Sequence, residues 1–284
     1  ADFAIEYERQ CTPADVNFIN SSVNGDQYDW TFNGTPYSTN SSDLISRQFS
    51  NSSTTNTAYY QVDLTVTSPQ GCISQTSKQV SVYHDVIADF SSITEGCSPL
   101  EVVFTNNSLG ASNYKWEFGD NTSSILENPI HVYPNYSNED TVINVKLTSI
   151  SENFCADSIF TPILVYPEPR ARFVVDKTEG CSPLEITIDN LSEPGNNYTW
   201  SFDDGSAPLS VSDTRDVKHN YVNDEGFPQV FTLNLEVTTP NGCRDTLKQK
   251  LTIFPRVVVN FERDSAGCSP HTTEFINTSV NASS

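Results

Sequence analysis

Tyr114-Lys115-Trp116-Glu117-Phe118 alternates aromatic with charged side chains. That period of two is the pattern of a strand with one face in a core and the other in water. The same five positions return as Tyr28-Asp29-Trp30-Thr31-Phe32 and as Tyr198-Thr199-Trp200-Ser201-Phe202. One strand written three times means an internal repeat, and the rest of the chain falls into register around it. Upstream stand Cys11-Thr12-Pro13, Cys97-Ser98-Pro99 and Cys181-Ser182-Pro183, and a fourth copy follows at Cys268-Ser269-Pro270; the steps between these cysteines are 86, 84 and 87 residues. Downstream, a second cysteine closes each of the first three repeats, at Cys72, Cys155 and Cys243. Each unit opens on a phenylalanine: Phe3, Phe90, Phe173 and Phe261. The chain therefore reads as three full repeats, 1–85, 86–168 and 169–256, and the first strands of a fourth, 257–284. A period this long exceeds a solenoid unit and suits tandem domains, each with its own core.

The remaining segments of each repeat are short strands. Leu100-Glu101-Val102-Val103-Phe104 and Leu184-Glu185-Ile186-Thr187-Ile188 are β-rich, and 60–67 and 231–238 alternate polar with apolar residues. Clusters of Asn, Ser, Gly and Pro separate them, as turns require, and no amphipathic helix is visible. About seven short strands per repeat define an all-β chain of tandem immunoglobulin-like β-sandwiches. The linkers are short, and Pro167, Pro169 and Pro255 stiffen two of them. An extended, semi-rigid rod is the expected arrangement.

Composition narrows the function. The 284 residues carry 15 Lys and Arg against 36 Asp and Glu, a net charge of −21. A nucleic-acid binder needs a basic face, and so does docking on an anionic membrane. No apolar run is long enough to insert into a bilayer. An aromatic content of 11% with only 18% charged residues separates the chain from a disordered acidic tail. It opens in the middle of a strand pattern at Ala1-Asp2-Phe3, which reads as a mature piece or fragment.

The run Trp116-Glu117-Phe118-Gly119-Asp120, followed by His131-Val132-Tyr133, resembles the PKD domain, an immunoglobulin-like sandwich. Repeat three matches it with Trp200-Ser201-Phe202-Asp203-Asp204-Gly205 and His219-Asn220-Tyr221. Repeat one departs: Trp30-Thr31-Phe32-Asn33-Gly34 lacks the acid, and Arg47-Gln48-Phe49 replaces His-x-Tyr. Cys-Ser-Pro-Leu together with Asn241-Gly242-Cys243-Arg244-Asp245-Thr246-Leu247 is narrower. It is similar to PKD repeats in the stalks of giant Bacteroidetes surface adhesins, exported by type IX secretion and serving gliding motility. The resemblance implies a non-catalytic segment of an extracellular, cell-surface adhesin. Its implied partners are neighbouring repeats of the same chain, surface polysaccharide or another substratum, and the envelope machinery of motility or secretion. It also implies O-glycans at Asp-Ser/Thr-x triplets, here at Thr141, Ser158, Thr246 and Ser265.

Two cysteines per repeat, with no CxxC pair or Cys/His cluster, point to disulfides and an oxidising compartment. In an immunoglobulin-like strand order the first cysteine sits between strands A and B and the second at the F–G turn. These turns lie at opposite ends of one sandwich, tens of ångströms apart, whereas a disulfide needs Cα atoms within about 7 Å. Topology thus favours bonds between successive repeats, Cys11–Cys155 and Cys97–Cys243, leaving Cys72, Cys181 and Cys268 to pair outside the fragment. Pairing within a repeat, as Cys11–Cys72, and free thiols are the alternatives.

Other chemistry-bearing residues have structural readings. Trp30, Trp116 and Trp200 recur with Phe32, Phe118 and Phe202 on one strand, so they are read as core rather than as sugar platforms. Asp120, Asp203 and Asp204 suit a calcium ion, but also a tight turn; no other cofactor is indicated. The repeat-equivalent His131 and His219 are read as structural. No nucleophile elbow, zinc helix or phosphate loop is present, and no carboxylate pair stands out, so no catalysis is expected. The competing functional reading is a spacer or polysaccharide-binding accessory region of a secreted hydrolase; a eukaryotic receptor ectodomain is a third. The run of repeats favours the stalk.

Overall fold

The computed structural model describes every residue except 194–196, 214, 265 and 282–284. Among the described residues there are strands and turns but no α-helix, hence no helix able to cross a membrane. The chain is all-β, a series of immunoglobulin-like β-sandwiches. It divides into two compact units. One comprises Ala1–Thr94, Glu101–Val132 and Val142–Ile163, the other Glu95–Leu100, Tyr133–Thr141 and Leu164–Ser284.

In the first unit, Phe3–Arg9, Ala14–Asn20 and Ile45–Phe49 form one antiparallel sheet. Thr35–Thr39, Gln27–Phe32, Ala58–Thr67 and Ile73–Val82 form the other. The alternation seen in the sequence becomes an inner and an outer face. Val16 and Phe18 from one sheet meet Trp30, Val62, Leu64 and Val80 from the other in a single core. Phe3 sits edge-on to Trp30 at 5.0 Å between ring centroids, the geometry that the ring quadrupoles favour. The unit also holds the aromatic strand of the second repeat, Asn113–Glu117, paired with Ser123–Ser124 and with Thr141–Ile150.

In the second unit the third repeat shows the same plan. Phe173–Val175, Leu184–Asn190 and Val217–Tyr221 make one sheet. Glu179–Cys181, Arg244–Phe254, Gln229–Thr238, Asn197–Ser201 and Leu209–Val211 make the other. Trp200, Ile186, Leu233, Leu235 and Leu251 are fully buried between them. Residues of the fourth repeat form an antiparallel pair, Phe261–Arg263 with Phe275–Asn277.

The three tryptophans are at most 1% exposed, and Phe32, Phe118 and Phe202 are buried beside them. These six residues build the cores.

Candidate functional site

Two recurring devices hold the cysteines in place. The second cysteine of each repeat follows a turn that closes on itself. The Cys72 amide donates to Ser68 Oγ, the Cys155 amide to Ser151 Oγ and the Cys243 amide to Thr239 Oγ1, each at 3.1 Å. This explains the Ser/Thr four residues earlier. The residue before the cysteine has a left-handed backbone: φ is 82° at Gly71, 84° at Gly242 and 61° at Phe154. Glycine adopts that conformation without steric cost and phenylalanine does not.

The first cysteine lies on a short parallel strand at the sheet edge. Cys181 is opposite Phe254, the last residue of Arg244–Phe254, and Cys97 is opposite Tyr166. Cys11 makes the same bridge to Tyr83. The Thr or Ser that follows accepts a buried amide: Asn51 N–H donates to Thr12 Oγ1, Asn135 N–H to Ser98 Oγ and Asn223 N–H to Ser182 Oγ, each at 2.8 Å. The Thr–Pro or Ser–Pro bond after the cysteine is cis in all four copies.

Each of these asparagines is a repeated fastener. Asn223 Nδ2 donates to the carbonyls of Phe227 and Ile253 at 2.9 and 2.7 Å. Asn135 does the same to Glu139 and Val165, and Asn51 to Asn56 and Val82. Buried carbonyls need such partners. One side chain thus ties the loop to the last strand where that strand leaves the repeat.

The geometry separates the two cysteines of one repeat. Cys243 precedes Arg244–Phe254, and Cys181 lies beside the far end of that strand. Eleven residues of strand place the two about 36 Å apart, far beyond the reach of a disulfide. The first repeat repeats the arrangement with Cys72 and Cys11 at the two ends of Ile73–Val82. The structure instead brings Cys11 to Cys155, with Cα atoms 5.5 Å apart across a sequence separation of 144. It brings Cys97 to Cys243, at 5.6 Å and a separation of 146. Cys72, Cys181 and Cys268 are exposed thiols.

The carboxylates considered for calcium belong to another repeated device. Asp204 Oδ1 accepts the amide and hydroxyl of Ser206, and Oδ2 accepts His219 Nε2–H at 2.7 Å. The His219 ring stacks on Phe202, with centroids 3.6 Å apart and planes 2° from parallel. Asp120, Thr122, His131 and Phe118 repeat the set, with the same 2.7 Å contact and a 4.2 Å stack. Burial pushes both carboxyls up, but the hydroxyl, imidazole and amide hydrogen bonds outweigh it and hold them below the ordinary Asp value. Asp203 turns elsewhere and accepts the Thr232 amide at 3.1 Å. Among the described residues no three His, Cys, Asp or Glu side chains group as metal ligands. Burial, together with Asp204 and Asp203, pushes the Tyr221 phenol far up.

Of the glycosylation candidates, Ser158 and Thr246 are exposed and Thr141 is half-buried, while Ser265 lies outside the described residues. The aspartates of two triplets are structural acceptors. Asp157 Oδ2 takes the Ala88 amide at 2.9 Å, and Asp245 Oδ2 takes the Ala171 amide at 2.7 Å. Each pins the entry of a repeat to the strand that follows its second cysteine.

These features define a class: cysteine-stitched tandem immunoglobulin-like sandwiches. No protein-family model and no curated protein sequence matches the chain. Among solved structures, one of a 1.5-MDa bacterial ice-binding adhesin is similar at 11% identity, over 90% of this chain and 99% of that one, with a TM-score of 0.31. A Ca2+-stabilised, ice-binding adhesin of an Antarctic bacterium aligns at 9% identity over 89% and 72%, TM-score 0.33. The D1–D4 ectodomain fragment of ICAM-5 aligns at 7% identity over 89% and 76%, TM-score 0.47.

Proposed function

We propose that this chain is a non-catalytic stalk segment of a large extracellular adhesin, in which successive sandwiches are stitched together by disulfides. The observation that carries the reading is the pairing rule. The first cysteine of one repeat bonds the second cysteine of the repeat that follows, in Cys11–Cys155 and again in Cys97–Cys243. A rule of that kind propagates along any number of repeats. By the same rule Cys181 pairs with the second cysteine of the fourth repeat, Cys268 with that of a fifth, and Cys72 with the first cysteine of a repeat before the first. Disulfides persist in oxidising compartments, and a net charge of −21 keeps a long chain soluble and self-repelling.

The domain boundaries near 85, 168 and 256 follow the repeat, with each sandwich contributing length and each joint resisting bending. Glycans on Thr141, Ser158 and Thr246 suit such a surface. The resemblance to gliding adhesins extends the role to surface attachment or gliding.

The test is made on intact cells. Antibody against these repeats should label them without permeabilisation, and in-frame removal of the repeats should shorten the surface fibre and weaken attachment. Label confined to permeabilised cells would overturn the reading.

A further inference from the structure

The first repeat departs from the other two at one place, and strand register shows what has changed. Leu184 pairs with Tyr221 and Ile186 with His219 in the third repeat; Ala14 pairs with Phe49 and Val16 with Arg47 in the first. Arg47 therefore occupies the histidine position. Its guanidinium lies over the Phe32 ring at 5.2 Å, as His219 lies over Phe202. It also lies over Tyr37 at 4.7 Å.

The aromatic seat is kept and the acid is lost. Two residues after the aromatic, where the other repeats place Asp120 and Asp204, the first has Gly34. Arg47 donates to the Ser46 carbonyl at 3.0 Å, and among the described residues no carboxylate lies within ion-pair distance of it. Beside it opens a cavity of about 380 Å³, whose walls include Phe32, Tyr37 and Arg47 with the polar side chains of Asn33, Thr35 and Gln48.

We propose that this cavity binds a carboxylate-bearing sugar, a hexuronate unit within an otherwise neutral saccharide. The ligand carboxylate takes the place that Asp204 holds in the third repeat, and guanidinium matches carboxylate in a two-pronged hydrogen bond. The exposed Tyr37 offers a ring face to the C–H face of the sugar. Amide and hydroxyl groups around the cation match sugar hydroxyls, which an acidic peptide lacks. A single cation in a chain of net charge −21 selects an isolated uronate and repels a dense polyanion. The site belongs to the first repeat alone and is independent of the disulfides.

The experiment is titration of the full chain with a galactose trisaccharide carrying one galacturonate unit and with the neutral galactose trisaccharide, followed by calorimetry and by NMR of the first-repeat amides. The acidic sugar should bind saturably, with a Kd on the order of 1 mM or tighter, and more weakly as salt is raised. Arg47→Ala should weaken it by at least about tenfold. Tyr37→Ala, which removes the exposed ring beside the cation, should weaken binding as well with the thermal unfolding curve intact. No saturable binding, equal binding of the neutral sugar, undiminished binding by the Arg47→Ala chain, or preferred binding of a Glu-rich peptide would each overturn the assignment.

Discussion

The two disulfides overlap, and their combined effect on extension is not additive. Cys97 lies inside the loop closed by Cys11–Cys155, and Cys155 lies inside the loop closed by Cys97–Cys243. When the chain is unfolded by force, the shortest covalent path from Cys11 to Cys243 uses both bonds and only the backbone between Cys97 and Cys155, about 58 residues. With one bond broken, the path runs through the other and about 86 to 88 residues of backbone, about 100 Å more at ~3.5 Å per residue. With both broken, a further stretch of 144 to 146 residues comes under tension, which adds about 500 Å of contour. The perturbation is therefore a double-mutant cycle: Cys155→Ser, Cys243→Ser and both, pulled from Ala1 and Ser284 by single-molecule force spectroscopy. Each single variant should gain about 100 Å of contour over the parent, and the double variant about 600 Å. A full gain in either single variant would refute the overlapping connectivity. So would parent protein that already reaches the reduced length without reductant.

Three further outcomes follow from the repeated devices. Phe154→Gly should stabilise the protein by up to about 1 kcal/mol, since Phe154 is 88% exposed and holds a φ of 61° that costs a non-glycine residue about that much; chemical denaturation checks it. Asn223→Ala removes two donors from buried carbonyls and the acceptor of the Glu225 amide, so a loss of about 3 kcal/mol is expected, and a midpoint within experimental error of the parent's would refute that role. Asp120 and Asp204 titrate below the ordinary 3.8 in the folded state, so their contribution is present above that pH and is lost as pH falls through the lower folded value. Asp204→Asn should flatten the acid limb of thermal stability for the third repeat, measured between pH 5 and pH 2 by calorimetry (a range of about two carboxylate titration widths).

The strands and the repeat were legible because period-two burial writes itself directly into the choice of residue. Trp30, Trp116 and Trp200 could be placed in cores without coordinates. The opposed ends of the strand between Cys181 and Cys243 could be argued from strand length alone. Asn51, Asn135 and Asn223 were not found. They recur in step with the repeat, but in loops so rich in Asn and Ser that one more asparagine carries no visible signal. What marks them is burial, which a polar residue in a turn does not announce. Asp157 and Asp245 were read only as parts of glycosylation triplets, because the amides they accept, on Ala88 and Ala171, lie about 70 residues upstream and are joined to them only by the fold. The Arg47-Gln48-Phe49 departure was visible as a mismatch; its seat on Phe32 and the cavity beside it needed strand register.

The central claim is that successive repeats are stitched first cysteine to second. It is tested most directly by proteolysis of the native protein without reductant, under thiol blocking, and mass spectrometry of the crosslinked peptides. Peptides joining Cys11 to Cys155 and Cys97 to Cys243 are expected. Peptides joining Cys11 to Cys72 or Cys97 to Cys155 would contradict the account.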